Sequence, residues 1–307
     1  MIKSKLRIEL PEDKSQKGIW RFAAFLNPVR QDFRLSLEEG DTKAEEINGL
    51  ILKREDQNPT GSAKDRGMAY LVSKAYEAGH KNLVLSSSGN AAISALSYCR
   101  LAGIRLFLFI SPNTEAGKKE MIEKMGGEVT VSKKPISDSL KFAKRNNYFN
   151  LRPSVNQFGP EGFQTIAFEL AKKGYFEDIF IPVSSGVTLT GVARGFLKLG
   201  FSPRIHACQS SFLHPIAGKL TKNFKEEDQT LAKSLVAKTT SLKDEVIRLV
   251  KESGGTGWVI TNQEMLEAEE FLKEKGVETS YEGCLSVAAA KKAGCPGAVC
   301  LLTGRKY

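Results

Sequence analysis

From residue 48 to the end of the chain, short β-branched or aliphatic runs alternate with longer stretches whose apolar residues recur at three- and four-residue steps. This alternation restricts the chain to an α/β fold. Strands are expected at 49–55, 82–87, 105–110, 128–132, 178–183, 204–209, 257–261 and 298–303. Several are continuously apolar, as in "LFLFI" at 106–110. Such runs suit strands covered by helices on both faces, and hence a mostly parallel, doubly wound sheet. The clearest helix is "DRGMAYLVSKAYEAG", where Met68, Leu71, Val72 and Ala75 share a face and Gly79 supplies a stop. Further helices are expected at 89–102, 115–126, 137–147, 160–173, 188–199, 263–275 and 281–293, while 210–256, Lys- and Thr-rich and weakly periodic, reads as a helical or loop-like excursion. A length of 307 residues suggests two lobes.

Composition narrows the classes. The longest apolar run is far too short to span a bilayer, and the start "MIKSKLRIEL" interleaves charge with aliphatics, so a cytoplasmic protein without a membrane partner is expected. Five cysteines form no CxxC pair and only three histidines are present, which argues against a disulfide framework or a zinc cluster. The thiols are expected to be reduced and mostly buried. The net charge of +10 is spread through helical stretches that also carry Glu, as in "GKKEMIEKMGG". That pattern describes a solvated basic surface, and no base-reading module is present, so no nucleic-acid partner is expected.

Four polar loops stand where strands end: "NPTGSAKDRG" at 58–67, "SSGNAAISAL" after the strand at 82–87, "SSGVTLTGVARGF" after 178–183, and the terminal "LLTGRKY". In open α/β sheets, ligands gather at such carboxyl ends. A Gly-, Ser- and Thr-rich turn entering a helix presents free N–H groups at the positive end of the helix dipole, so residues 186–190 are the candidate phosphate site. The loop is not a Walker motif, because Val192 and Ala193 stand after Gly191, and no GxGxxG opens a helix. Lys64 precedes a helix start, where the dipole repels a cation. A lysine held there by other forces suits an amine that condenses with a carbonyl compound.

"NPTGSAKDRG", "SSSGNAA", "EGFQTIAFEL", "VPVSSGVTLTG" and "CLLTG" stand in the order and approximate spacing of the fold-type II pyridoxal-phosphate enzymes, and the chain most resembles the threonine synthase family, from residue 38 through Gly304. The resemblance implies two lobes, each a mostly parallel open sheet flanked by helices, with a cofactor cleft between them. Residues 1–54 and 156–307 would form the larger, cofactor-anchoring domain and 55–155 the smaller, substrate-side domain. It implies pyridoxal 5'-phosphate condensed with Lys64, which also serves as catalytic base. Asn90 would donate to the cofactor's phenolic oxygen, and Gly186, Val187, Thr188, Leu189 and Thr190 would wrap its phosphate. Thr303 would face its pyridine nitrogen, and Ser87, Ser88, Ser154 and Asn156 would bind an amino-acid substrate. No metal is implied. A homodimer follows by analogy with the family.

The implied reaction forms L-threonine from O-phospho-L-homoserine by loss of phosphate and addition of water. The departures bear on substrate. "GDTKA" replaces the family's "GNTPL", "SAK" replaces "SFK", and Gly159 stands where the family places a phosphate-binding arginine. Arg152 and Arg194 are the candidates to replace it. The alternatives are another β-elimination or β-replacement enzyme on this scaffold (a threonine or serine dehydratase, a cysteine synthase-like enzyme or a diaminopropionate ammonia-lyase), a non-catalytic relative, or a polyanion binder.

Overall fold

The computed structural model describes residues 10–306 except 115 and 236. Residues 1–9, read above for the absence of an apolar leader, and residue 115, at the head of the helix expected at 115–126, lie outside them. In chain order the first elements are β1 (Ala44–Ile47), β2 (Leu50–Lys53), α1 (Lys64–Glu77), β3 (Asn82–Ser86), α2 (Asn90–Leu101), β4 (Arg105–Ile110), α3 (Ala116–Lys124), β5 (Glu128–Val131), α4 (Pro135–Asn146) and β6 (Phe149–Asn150). They are followed by α5 (Gln164–Lys173), β7 (Asp178–Pro182), α6 (Val187–Lys198), β8 (Arg204–Ser210), α7 (Lys243–Glu252), β9 (Gly257–Ile260), α8 (Asn262–Glu274), α9 (Tyr281–Ala293) and β10 (Val299–Leu301). Short 3-10 turns lie between them.

The chain divides into two compact units. The first holds Asp41–Ala63 and the described part of Phe163–Tyr307, and its six-stranded sheet runs β1-β2-β10-β7-β8-β9. All its pairs are parallel except β1 with β2. The apolar runs are explained by cover on both faces: every residue of β7 and β10 is buried. Alternation along β7 sends Ile179 and Ile181 into a core with α5, α6 and α7, and Phe180 into a second core with α8 and α9. Cys208, Cys284 and Cys300 are buried free thiols of this unit.

The second unit holds Glu12–Gly40 and Lys64–Gly162, with an all-parallel four-stranded sheet in the order β5-β4-β3-β6. Its boundaries differ from the expected ones because residues 12–40 are tied to α1 and α2. The Tyr98 hydroxyl donates to Glu39 at 2.7 Å, the Leu35 N–H donates to the Ser73 hydroxyl at 2.8 Å, and the Trp20 ring stacks on Tyr70 at 5.8 Å. Burial raises the Glu39 pKa, against the hydrogen bonds it accepts.

All eight expected strands form, and two more appear. The hairpin joining β1 to β2 turns on Asn48 and Gly49, with φ of 48° and 76°, and Ile47 pairs with Leu50. These are the left-handed angles of a two-residue hairpin, for which Asn-Gly is the strongest sequence signal. β6 is two residues long and offers no periodicity to read. The helix expected from 160 begins instead at Gln164, after a turn at 160–163 in which Gly162 packs where a Cβ would overlap the Arg66 carbonyl oxygen. The stretch 210–256 contains α7, whose Val246, Leu249 and Val250 are buried. Among the described residues no helix is long and apolar enough to cross a membrane.

Candidate active site

In the first unit, α6 leads from β7 to its neighbour β8, whereas β10 flanks β7 on the other side and arrives from α9. The direction of connection therefore reverses between β7 and β10, the position at which open parallel sheets bind ligands. The loop after β7 ends at Gly186, residues 187–190 form the first turn of α6, and Thr303 follows β10. Gly186 ends the loop with φ +89° and ψ −10°, and no side chain caps the helix behind it. A Cβ at that position would lie 2.5 Å from Val246 Cγ2, so both the backbone angle and the space require glycine.

The first N–H of this turn to be taken up is that of Thr190, which donates to the Gly186 carbonyl at 2.9 Å. The N–H groups of Val187, Thr188 and Leu189 are the helix's outward donors. Thr190 Oγ1 is buried and has no hydrogen-bond partner among the described residues. A buried hydroxyl without a partner is costly. An anion with several acceptor oxygens, seated at the start of α6, would satisfy the amides and the hydroxyl together, so these residues fit a phosphate.

The excursion braces this loop, a role the sequence reading missed. The Thr240 hydroxyl donates to the Ser185 carbonyl at 2.7 Å, and Val246 of α7 fills the space beside Gly186. Arg194 donates to Glu245 of α7 at 2.6 and 3.1 Å, which occupies one of the two arginines considered as replacements at position 159. The signal for α7 was the spacing of Val246, Leu249 and Val250.

The other end of the site begins with Thr303, half-buried, whose carbonyl accepts the Ala63 N–H at 3.0 Å. The Gly304 carbonyl next to it accepts from Ser280 N–H at 2.8 Å and Thr279 Oγ1 at 2.9 Å. A bridge between Ser62 and Gly304 and a bond from Arg305 N–H to the Gly61 carbonyl (2.9 Å) stitch the "NPTGSA" turn to the same strand exit. Ala63, the residue bonded to the Lys64 nitrogen, is thus tied to the exit of β10 through its own N–H and through Gly61 and Ser62 before it.

In the second unit Lys64 is the first residue of α1 and is half-buried. α1 packs beside α2, which Asn90 opens as its first residue, also half-buried. The turn before it is local: the Gly89 N–H donates to Ser87 Oγ at 3.3 Å, and the Gly89 carbonyl accepts from Ala92 at 2.8 Å. Here too the connection reverses, since α2 leads from β3 to β4 while β6 pairs with β3 on the opposite side. Ser87 and Ser88 leave β3 at that point, and the segment with Ser154 and Asn156 leaves β6 beside it. Ser154 is buried in a 3-10 turn, and Asn156 Oδ1 accepts the Phe158 N–H at 2.9 Å.

Gly159 is closed to any side chain. A Cβ on it would overlap the Pro153 carbonyl oxygen and sit 2.7 Å from the carbonyl carbon. The arginine expected of the family at this position therefore has no room in this backbone.

The family described as "Pyridoxal-phosphate dependent enzyme" matches residues 35–304. The threonine synthase of Methanocaldococcus jannaschii is 26% identical over 94% of this chain and 78% of its own length. That of Synechocystis sp. is 33% identical over 83% of this chain and 71% of its own length. Among solved structures, maize serine racemase superposes with a TM-score of 0.72 at 22% identity, covering 84% of this chain and 83% of its own. The processed form of threonine deaminase isoform 2 from Solanum lycopersicum also gives 0.72, at 18% identity, covering 84% of this chain and 75% of its own. The phosphate-ready start of α6 and a family match over nearly the whole chain agree, and the chain belongs to the pyridoxal-phosphate-dependent enzymes of fold type II, as a lyase that uses this cofactor.

Proposed function

We propose that this enzyme forms L-threonine from O-phospho-L-homoserine, eliminating phosphate and adding water at the β-carbon. The observation that carries the reading is the 33% identity to the Synechocystis threonine synthase over 83% of this chain. When bound, pyridoxal phosphate supplies the electron sink that makes the substrate's α-proton acidic. The protein's part is to hold and orient. Residues 186–190 would take the phosphate with backbone N–H groups and Thr190 Oγ1, and Asn90 would offer its amide to the phenolic oxygen. Thr303 offers the ring nitrogen a neutral hydroxyl, which does not keep a proton there as a carboxylate would. Lys64 Nζ would hold the cofactor and, once substrate is bound, would be the base that takes the α-proton and the acid that returns protons to later carbons. Both tasks need the amine neutral. Ser87, Ser88, Ser154 and Asn156 bind the substrate's anionic ends.

Gly159 favours a second reading, dehydration of threonine or serine, because the steric closure at that position removes the family's phosphate anchor. Incubation of the loaded enzyme with O-phospho-L-homoserine separates the two. Equal amounts of inorganic phosphate and threonine are expected, and a 2-oxo acid formed from threonine or serine, with no phosphate released, would replace the first reading by the second.

Thr190→Val tests the phosphate site directly. The cofactor-free protein should lose no stability, since the change removes a hydroxyl that has no partner among the described residues. Its dissociation constant for pyridoxal phosphate, read by absorbance titration, should rise roughly tenfold, as for a lost hydrogen bond to a charged group.

A further inference from the structure

We propose that Arg152, with the Asn150 amide two residues before it, binds the phosphate of the substrate and takes over the anchor that position 159 cannot provide; this rests on the phosphorylated-substrate reading above. Three observations within the second unit lead to it.

The first is position. Asn150 is the last residue of β6, paired in register with Val84 of β3, so Asn150 and Arg152 stand at the carboxyl end of the sheet where the connection reverses. Ser87 and Ser88 leave the adjacent strand there. The backbone at this point is fixed: the Arg152 N–H donates to Asn150 Oδ1 at 2.8 Å, and Pro153 follows as the first residue of the 3-10 turn.

The second is unmet hydrogen-bonding capacity. Asn150 Nδ2 is buried and finds no acceptor among the described residues. Arg152 is half-buried, and among the described residues no carboxylate pairs with it. Burial lowers its pKa with no acid beside it to oppose the shift. Partly buried guanidinium groups ordinarily have a partner, and a guanidinium and an amide N–H two residues apart both call for one that accepts.

The third is local charge. Residues 146–160 and 82–101 contain no Asp or Glu, and Glu161, the next acid along the chain, accepts the Asn27 N–H at 2.8 Å. No acidic side chain of these segments competes for the guanidinium. A phosphate would meet a guanidinium suited to a bidentate fork, and an amide. The Gly159 closure and Arg152 belong to the same loop. The Pro153 carbonyl that fills the space of a side chain at 159 belongs to the residue that follows Arg152.

The test uses the pyridoxal-phosphate-loaded enzyme and its Arg152→Gln and Arg152→Lys variants, with thermal melts confirming that each folds. With O-phospho-L-homoserine, Arg152→Gln should raise KM about 10- to 100-fold and leave kcat unchanged, as loss of uniform binding does. Arg152→Lys should recover part of that loss. Inorganic phosphate titrated calorimetrically should bind the wild type, and bind Arg152→Gln more weakly by a similar factor. Wild-type turnover with an unchanged KM in Arg152→Gln would overturn the inference and leave the proposed function standing. A wild type that releases no phosphate from the substrate, yet binds inorganic phosphate through Arg152, would defeat the proposed substrate and support the anion site. Equal phosphate binding by wild type and Arg152→Gln, or none by either, would overturn the site itself.

Discussion

Lys64→Ala is expected to give a protein from which pyridoxal phosphate washes out on dialysis, in which borohydride leaves no label on the 64–77 peptide, and whose kcat falls by about 10³-fold or more. The size of the effect follows from the lysine's double duty, since one substitution removes both the covalent tether and the base. The position itself explains why no neighbour substitutes. Lys64 opens α1, where the helix dipole opposes a cation, and the residue before it is pinned to the exit of β10 through the Ala63 N–H and Thr303 carbonyl at 3.0 Å. A surface lysine would share none of these ties. Retention of a borohydride-fixed adduct at another lysine in the variant would show that the tether had been misassigned.

Gly159→Arg is expected to destabilise the protein by about 3 kcal/mol, the range of overpacking against a backbone that cannot yield easily. It should not raise phosphate affinity above that of the wild type. Gly159→Ala should show most of the same loss, because the conflict lies between the Cβ and the Pro153 carbonyl and not with the remainder of the side chain. Denaturant melts of both variants, beside phosphate titrations, check the account. A stable Gly159→Arg with a lowered KM would mean that the loop relaxes freely, and the steric argument for a relocated anchor would fail.

The sequence disclosed the architecture well because burial on both faces of the sheet leaves a continuous apolar run that is visible without context, as at 178–183 and 298–303. β1 escaped because "AEEI" carries two carboxylates, and only the Asn48 and Gly49 turn announced it. α7 escaped because its flanks are loops, so its buried stripe of Val246, Leu249 and Val250 stood alone in a polar stretch. Of the candidate site, the loops were legible as Gly and Ser turns at strand ends. Their bracing was not, since the contacts of Thr240 and Val246 with the 185–186 turn join positions far apart in the chain. The closure of Gly159 by Pro153 was likewise invisible, because it depends on how the loop from 153 to 159 curls and not on its residue types.

The short turn that adds β1 also decides how far the larger sheet can grow. A strand at the margin of a sheet presents unpaired backbone groups that can template another chain. β2, nearly all apolar, would make such a margin adhesive, and β1 covers it with a strand bearing Glu45 and Glu46. Glu45 is paired with Arg54 at 2.8 Å, so a second copy approaching edge to edge would meet the exposed Glu46 carboxylate, and a like charge opposite it is repulsive. Among the described residues the hairpin thus sets a charged margin against fibril-like stacking, and replacing Glu46 would be the way to release it.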